Sequence, residues 1–420
     1  MSVTQPISSV GKNTRATDNR TASRFYQPEL DALRFLAFTL VFCRHVIAGF
    51  GLAKQHLATG SAPAATIPSA GTMPSASYHL SPMWEIAQSL AQCCDFGVCL
   101  FFFLSSFLIT RLLLIERYAT GTVAIRDFYL RRTLRIWPLY FFILAFIVLL
   151  SHWIPSFHGG WSRVLASIFF VANWPIVLHG WAGTPIEPLW SVSTEEQFYL
   201  IWPGFARLGK KSVVVISLVL ALVPMATLIY FGHRPGTLNT DIWPNSLIQS
   251  LFFAGGALTA AFSAPEARRS GPWQRLALLF SGFACWLIAS GVCHVVRTIS
   301  PGPISLVLGY LLILAGTFLI FLSFAGATPT IFPRQVLYLG KISYGLYIFH
   351  VLCLMLMHKA LSTILPETGL SSPKLAILHL VSAVFALALT VLFATASYRL
   401  LETPFLKLKK RFTVVRSRPD

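Results

Sequence analysis

Charge is what this sequence has least of. Only 11% of its 420 residues are Asp, Glu, Lys or Arg, against about a quarter in a soluble globular chain. So few charges cannot cover a water-facing surface of this size, and the apolar residues make up 55% of the chain. Acidic residues are the scarcest, 15 against 33 Lys and Arg. In a soluble protein that excess would suggest nucleic acid. Here the basic residues sit between apolar segments and at the two ends, as cytoplasmic loops of membrane proteins do, so no nucleic-acid partner is expected. Cysteine offers no framework either. Cys43, Cys93, Cys94, Cys99, Cys285, Cys293 and Cys353 are odd in number and lie mostly in apolar segments. They show no metal-ligand spacing, read as small core residues, and imply no metal site. The sequence shows no cleavable signal pattern, no internal repeat and no hydrolase-like module.

What is present is membrane-spanning sequence. A crossing helix needs about 20 mostly apolar residues. Segments of that kind lie near 31–51, 86–114, 136–154, 189–206, 213–231, 244–262, 276–296, 304–325, 342–358 and 375–398. The expected fold is therefore an all-α integral membrane protein with about ten transmembrane helices. Residues 1–28 read as a disordered cytoplasmic tail, 29–406 as the transmembrane domain, and 407–420 as a basic cytoplasmic tail. The apolar stretch 164–179 is ambiguous by length, and charge decides it. If it does not cross, 24 Lys and Arg fall on one side and six on the other. If it crosses, that asymmetry is scrambled and the basic C-terminus faces outward. Both termini are thus expected in the cytoplasm. The 164–179 segment is then re-entrant or interfacial at the outer face, interrupted at Asn173-Trp174-Pro175. The Ala-, Pro-, Ser- and Thr-rich stretch 52–84 reads as a mobile outer connection.

Charged groups inside spans are costly and mark candidate sites. Span one carries Asp31, Arg34, Arg44 and His45. Asp31 and Arg34 are helical neighbours near the cytoplasmic mouth. His45 follows Arg34 by eleven residues, about three turns and 16 Å along nearly the same face. A lone histidine there would be a satisfied core residue; three charged companions argue for chemistry. Span four reads LWSVSTEEQFYLIWP, where Glu195 and Tyr199 share a face and Glu196 points elsewhere. These acids either answer the helix dipole or belong to a site. Arg132 and Arg135, in RDFYLRRTLRIWP, form a guanidinium pair suited to a phosphate or pyrophosphate, or else anchor the loop to headgroups. Ser105 and Ser106 in span two permit close packing or leave room for a ligand. Ser343, Tyr347 and His350 in span nine can hydrogen-bond across helices.

These blocks, in this order, resemble the membrane-bound acyltransferase-3 family. The matching stretches are PELDALRFLAFTLVFCRHV, FGVCLFFFLSSFLITRLL, RRTLRIWPLYF, LWSVSTEEQFYLIWP and LGKISYGLYIFH with a terminal YRLLETPF, together covering about 28–406. The resemblance implies a stand-alone enzyme of the bacterial cytoplasmic (inner) membrane, without the fused hydrolase-like domain of some relatives. It implies transfer of an acyl group, most commonly acetyl, from cytoplasmic acyl-CoA to a hydroxyl of a cell-surface or lipid-linked carbohydrate. Acyl-CoA is then a co-substrate, and no tightly bound cofactor is expected. By position, His45 would be the catalytic histidine, with Arg34 its companion and Glu195 the essential carboxylate beside Tyr199. Arg132 and Arg135 would hold the CoA phosphates; Asp31, Ser105, Ser343, Tyr347 and His350 would support the site. Ser106 stands where the family usually has glycine, adding bulk beside the presumed acyl channel. The competing reading is a transporter or exporter of a glycan or acylated metabolite, with the same charges lining a pathway.

Overall fold

The computed structural model describes residues 27–59, 89–263, 270–296, 299–364 and 372–412. Every regular element among them is a helix, which is what a chain must form where lipid offers its backbone no hydrogen-bond partner. The principal helices are α1 (Pro28–Thr59), α2 (Gly97–Thr120), α3 (Ile125–Leu150), α4 (Trp161–Ile168), α5 (Asn173–His179), α6 (Leu189–Leu208) and α7 (Lys210–His233). They continue as α8 (Ser246–Phe262), α9 (Pro272–Gly291), α10 (Pro303–Phe324), α11 (Arg334–Lys341), α12 (Ser343–Ile364), α13 (Ser372–Ser397) and α14 (Thr403–Lys409). Among the described residues, seven helical stretches, covering α2, α3, α7, α9, α10, α12 and α13, are long and apolar enough to cross a membrane. The three other expected crossings are helices too. α1 and α6 are diluted by charge, Asp31, Arg34 and Arg44 in one and Glu195 and Glu196 in the other, and α8 has 17 residues.

Gln27 and Lys409 line one and the same cavity, so the two ends of the described chain meet at one end of the bundle. Residues 403–412 pack on α3, where Arg131 Nη1 donates to the Phe412 carbonyl at 2.7 Å. α1 runs to Thr59, beyond its expected end at 51. The expected tail up to residue 26, the outer connection over 60–84 and residues 413–420 lie outside the described residues.

The 164–179 stretch forms α4 and α5, of 8 and 7 residues, and neither can span a bilayer. The break between them puts Phe170 at φ 56°, a left-handed conformation that a bulky residue adopts only under constraint. The constraint comes from Gln197 of α6. Its Nε2 donates to the Phe170 carbonyl at 2.8 Å and to Asn173 Oδ1 at 2.9 Å, and its Oε1 accepts from Ser246 Oγ at 2.6 Å. The glutamine of the EEQFY block is thus a clamp on the broken segment. Gln197→Leu takes the donor from the Phe170 carbonyl and Asn173 Oδ1, while Ser246 Oγ keeps Asn173 Nδ2 at 2.9 Å, and is expected to lower stability by about 1–3 kcal/mol. Thermal unfolding of detergent-purified protein measures it, and an unchanged midpoint would remove the clamp.

Close helix approach builds the wall of the site. A Cβ on Gly256 of α8 would lie 2.2 Å from the Phe103 carbonyl oxygen, so only glycine lets α8 meet α2 backbone to backbone. Ser106 lies at this same interface, fully buried, donating to the Phe253 carbonyl at 2.5 Å. It faces away from the neighbouring cavity, and the bulk expected beside an acyl channel is spent on packing instead.

Candidate active site

Two of the cavities among the described residues lie in the bundle and share a wall. The larger, of about 170 Å³, opens at the end where Gln27 and Lys409 lie and is walled by α1, α2, α3, α6 and α12. Its mouth is basic, with Arg34, Arg131, Arg132, Arg135 and Lys409 lining it. Arg34 is paired with Asp31 at 2.5 Å and Arg131 with Glu116 at 2.9 Å. The Arg132 guanidinium lies over the rings of Tyr199 and Phe128, at 5.1 and 5.7 Å from their centroids. A cation held on aromatic faces keeps its N–H fork available for an oxyanion.

Deeper in, Glu195 accepts hydrogen bonds from Ser105 Oγ and the Tyr199 hydroxyl. The i,i+4 spacing of Glu195 and Tyr199 brings them together as expected, whereas Glu196 points away from them, with Trp137 Nε1 on its Oε2 at 3.4 Å. The cavity ends at the Tyr347 hydroxyl, which is 2.7 Å from Ser191 Oγ.

The smaller cavity, about 40 Å³, lies beyond this pair. His45, Asp95, Thr184, Glu187, Trp181 and Trp190 line it, and Val98 and Tyr347 line both cavities. Tyr347 and Val98 are therefore the partition between them. His45 Nδ1 is 2.9 Å from the Val41 carbonyl. A carbonyl only accepts, so Nδ1 carries the proton and Nε2 keeps its lone pair for a base. His350 is fully buried and stands edge-on to His45, ring centroids 5.0 Å apart; its Nδ1 donates to the Tyr347 carbonyl. Asp95 pairs with Arg44 at 2.9 Å. Glu187 Oε1 accepts the N–H groups of Ala182 and Gly183, the latter at 2.8 Å. Burial nonetheless pushes the Glu187 carboxyl up to about 7, because removing water penalises the carboxylate more than those bonds repay.

Of the residues singled out in the sequence, Asp31, Arg34, Ser105, Arg132, Arg135, Glu195, Tyr199, Ser343 and Tyr347 all line the larger cavity. His45 does not join them. It shares α1 with Arg34 but opens onto the smaller cavity, and His350 lies against it. Glu195 and His45 thus sit on opposite sides of the partition. Sequence reading missed Arg131, Lys409, Ser191, Asp95 and Glu187. Asp95 had a signal, being an acid in an apolar span opposite the unmatched Arg44 of span one. Glu187 had none, since it lies in an irregular stretch ahead of α6.

The bundle of apolar helices thus holds a basic pocket on one side of the Tyr347–Val98 wall and a histidine on the other. A family model described as an acyltransferase domain matches residues 27–399, and the chain belongs to that acyltransferase family. It is 27% identical over 357 residues to peptidoglycan O-acetyltransferase OatA of Listeria monocytogenes, covering 79% of this chain and 53% of the relative. It is 24% identical over 355 residues to O-acetyltransferase OatA of Staphylococcus aureus, covering 79% and 54%. A shorter match, 30% over 177 residues, joins it to the putative peptidoglycan O-acetyltransferase YrhL of Bacillus subtilis, covering 38% and 26%. The chain spans about half the length of the OatA relatives it matches. No solved structure matches it.

Proposed function

We propose that this protein moves an acyl group, acetyl first among candidates, from acyl-CoA at the cytoplasmic face to a hydroxyl of a cell-surface carbohydrate. The observation that carries this reading is the pair of cavities sharing Val98 and Tyr347 as their wall, basic on one side and bearing His45 on the other. By the positive-inside rule the basic mouth faces the cytoplasm of a bacterial cell. Arg132 and Arg135 bind the CoA phosphates, bidentate guanidinium to oxyanion. The acyl-bearing arm lies along Ser105, Glu195 and Tyr199, with its thioester toward Tyr347. The acceptor oxygen attacks the thioester carbonyl carbon, a C–O bond forms and the C–S bond breaks. CoA leaves as thiolate, and His45 Nε2 takes the hydroxyl proton. Glu195 serves the donor side, holding Ser105 and Tyr199 against the acyl arm. The names of the relatives support O-acetylation of a cell-wall glycan as the first acceptor to try.

Membranes carrying the wild type or Arg132→Ala/Arg135→Ala, incubated with radiolabelled acetyl-CoA, test the donor assignment by label in the glycan fraction. Two charge-assisted bonds contribute about 1.5–3 kcal/mol each, so the double variant is expected to raise KM for acetyl-CoA about 100-fold or more, with less effect on kcat. Absence of label from the wild type with both acetyl- and succinyl-CoA would sink the reading. A transporter of the same fold would move glycan without acyl-CoA.

A further inference from the structure

The smaller cavity has a polar lining that the donor side does not use. Thr184 is 3% exposed, and its Oγ1 is buried without a hydrogen-bond partner. A buried hydroxyl left unpaired is unfavourable by about 1–3 kcal/mol, and the residue that carries it lines the same cavity as Glu187 and His45. Glu187 is itself held in a fixed pose by the turn Ala182–Gly183. Trp181 and Trp190 stand at 78° to one another with centroids 6.3 Å apart, and both rings line the cavity. Few convergent polar groups in an aromatic enclosure are what a polar ligand with an apolar face requires.

Volume limits what enters. About 40 Å³ holds roughly two or three water-sized groups, too little for a sugar ring but enough for one hydroxyl-bearing arm. On the acyl-transfer reading, we infer that this cavity is the acceptor subsite, receiving a single hydroxyl arm of a carbohydrate that Glu187 and Thr184 hold against His45. The sugar body stays outside, at Trp181. Glu187 accepts the hydroxyl's hydrogen bond as the arm enters; for transfer that hydrogen turns to His45 Nε2, and Thr184 Oγ1, donating to the same oxygen, gains the partner it lacks. Glu187 and Thr184 are binding residues here, and His45 is the group that takes the proton.

Glu187→Gln is the informative change, because the amide oxygen can keep the Ala182 and Gly183 N–H groups and so preserve the turn. Each variant is assayed in membranes with radiolabelled acetyl-CoA and the endogenous glycan, at matched amounts of folded protein. Glu187→Gln is expected to lower the labelling rate about 10–100-fold, the range for a bond to a charged group. Thr184→Val is expected to lower it about 5–10-fold, whereas Thr184→Ser retains it. In all three, KM for acetyl-CoA stays within about twofold of wild type, unlike Arg132→Ala/Arg135→Ala. Wild-type rates in Glu187→Gln and Thr184→Val, with His45→Ala inactive, would overturn the subsite and leave acyl transfer standing. A rise in KM for acetyl-CoA in Glu187→Gln would likewise overturn it, by assigning the residue to the donor side. No label from the wild type with acetyl- or succinyl-CoA would overturn the acyl-transfer reading and the subsite with it.

Discussion

His45→Ala is expected to lower acyl transfer about 10²–10⁴-fold, the contribution of a positioned general base, while the protein still inserts and purifies as the wild type does. The expectation rests on how the imidazole is held. Nδ1 is tied to the Val41 carbonyl one turn earlier on α1, so the tautomer and the ring plane are set by the helix itself. Nε2 is then the lone-pair nitrogen, and the ring borders the smaller cavity. Alanine removes the base and leaves the helix intact, since α1 is fixed by other contacts along its length. His45→Gln separates base chemistry from hydrogen bonding: it can donate and accept but cannot take a proton at neutral pH, and it is expected to be as inactive as alanine. The measurement is label from acetyl-CoA in the glycan fraction, normalised to folded protein. Wild-type transfer by either variant would remove His45 from the mechanism.

The second large effect concerns stability. Arg44 and Asp95 join α1 to the turn ahead of α2 at 2.9 Å, with side chains 5% and 4% exposed. Removing one member strands the other's charge away from water, which destabilises by about 3–5 kcal/mol. Asp95→Leu or Arg44→Met alone is therefore expected to lose most of the folded yield. The double variant Arg44→Met/Asp95→Leu, having no stranded charge, is expected to recover to within about 1 kcal/mol of wild type. Unfolding in detergent measures all three. If the double variant is no more stable than either single one, the pair is not what holds these elements together.

The sequence was most informative where a helix carries both partners of a contact. Glu195 and Tyr199 meet because four residues is one turn, and Arg132 and Arg135 line one cavity because three is nearly one. Span lengths were legible for the same reason: bilayer thickness is a fixed ruler. Contacts between distant segments were not. Ser191 meets Tyr347 across 156 residues and Arg44 meets Asp95 across 51. Helices such as α7 and α10 are apolar all round, so spacing gives their length but not the face each turns inward. The same blindness explains Ser106. Its neighbour Ser105 points into the cavity, and one residue further round the helix the side chain turns 100° to meet α8. The division of α1 between two cavities was also beyond the pattern. Arg34 and His45 share a face, and a partition made by α2 and α12 decides that they serve different compartments.

That partition has a second consequence, for the cell rather than for the reaction. Two cavities that share a wall inside a bilayer thin the hydrocarbon barrier to whatever lies between them. Here that is the Tyr347–Ser191 contact and the Val98 side chain. An open passage lined by arginines and carboxylates would conduct protons and small ions and drain the gradient across the membrane. The aromatic plug therefore acts as electrical insulation. On the proposed acyl-transfer reading, this seal opens no wider than an acetyl-sized cargo, and only while the cargo fills it.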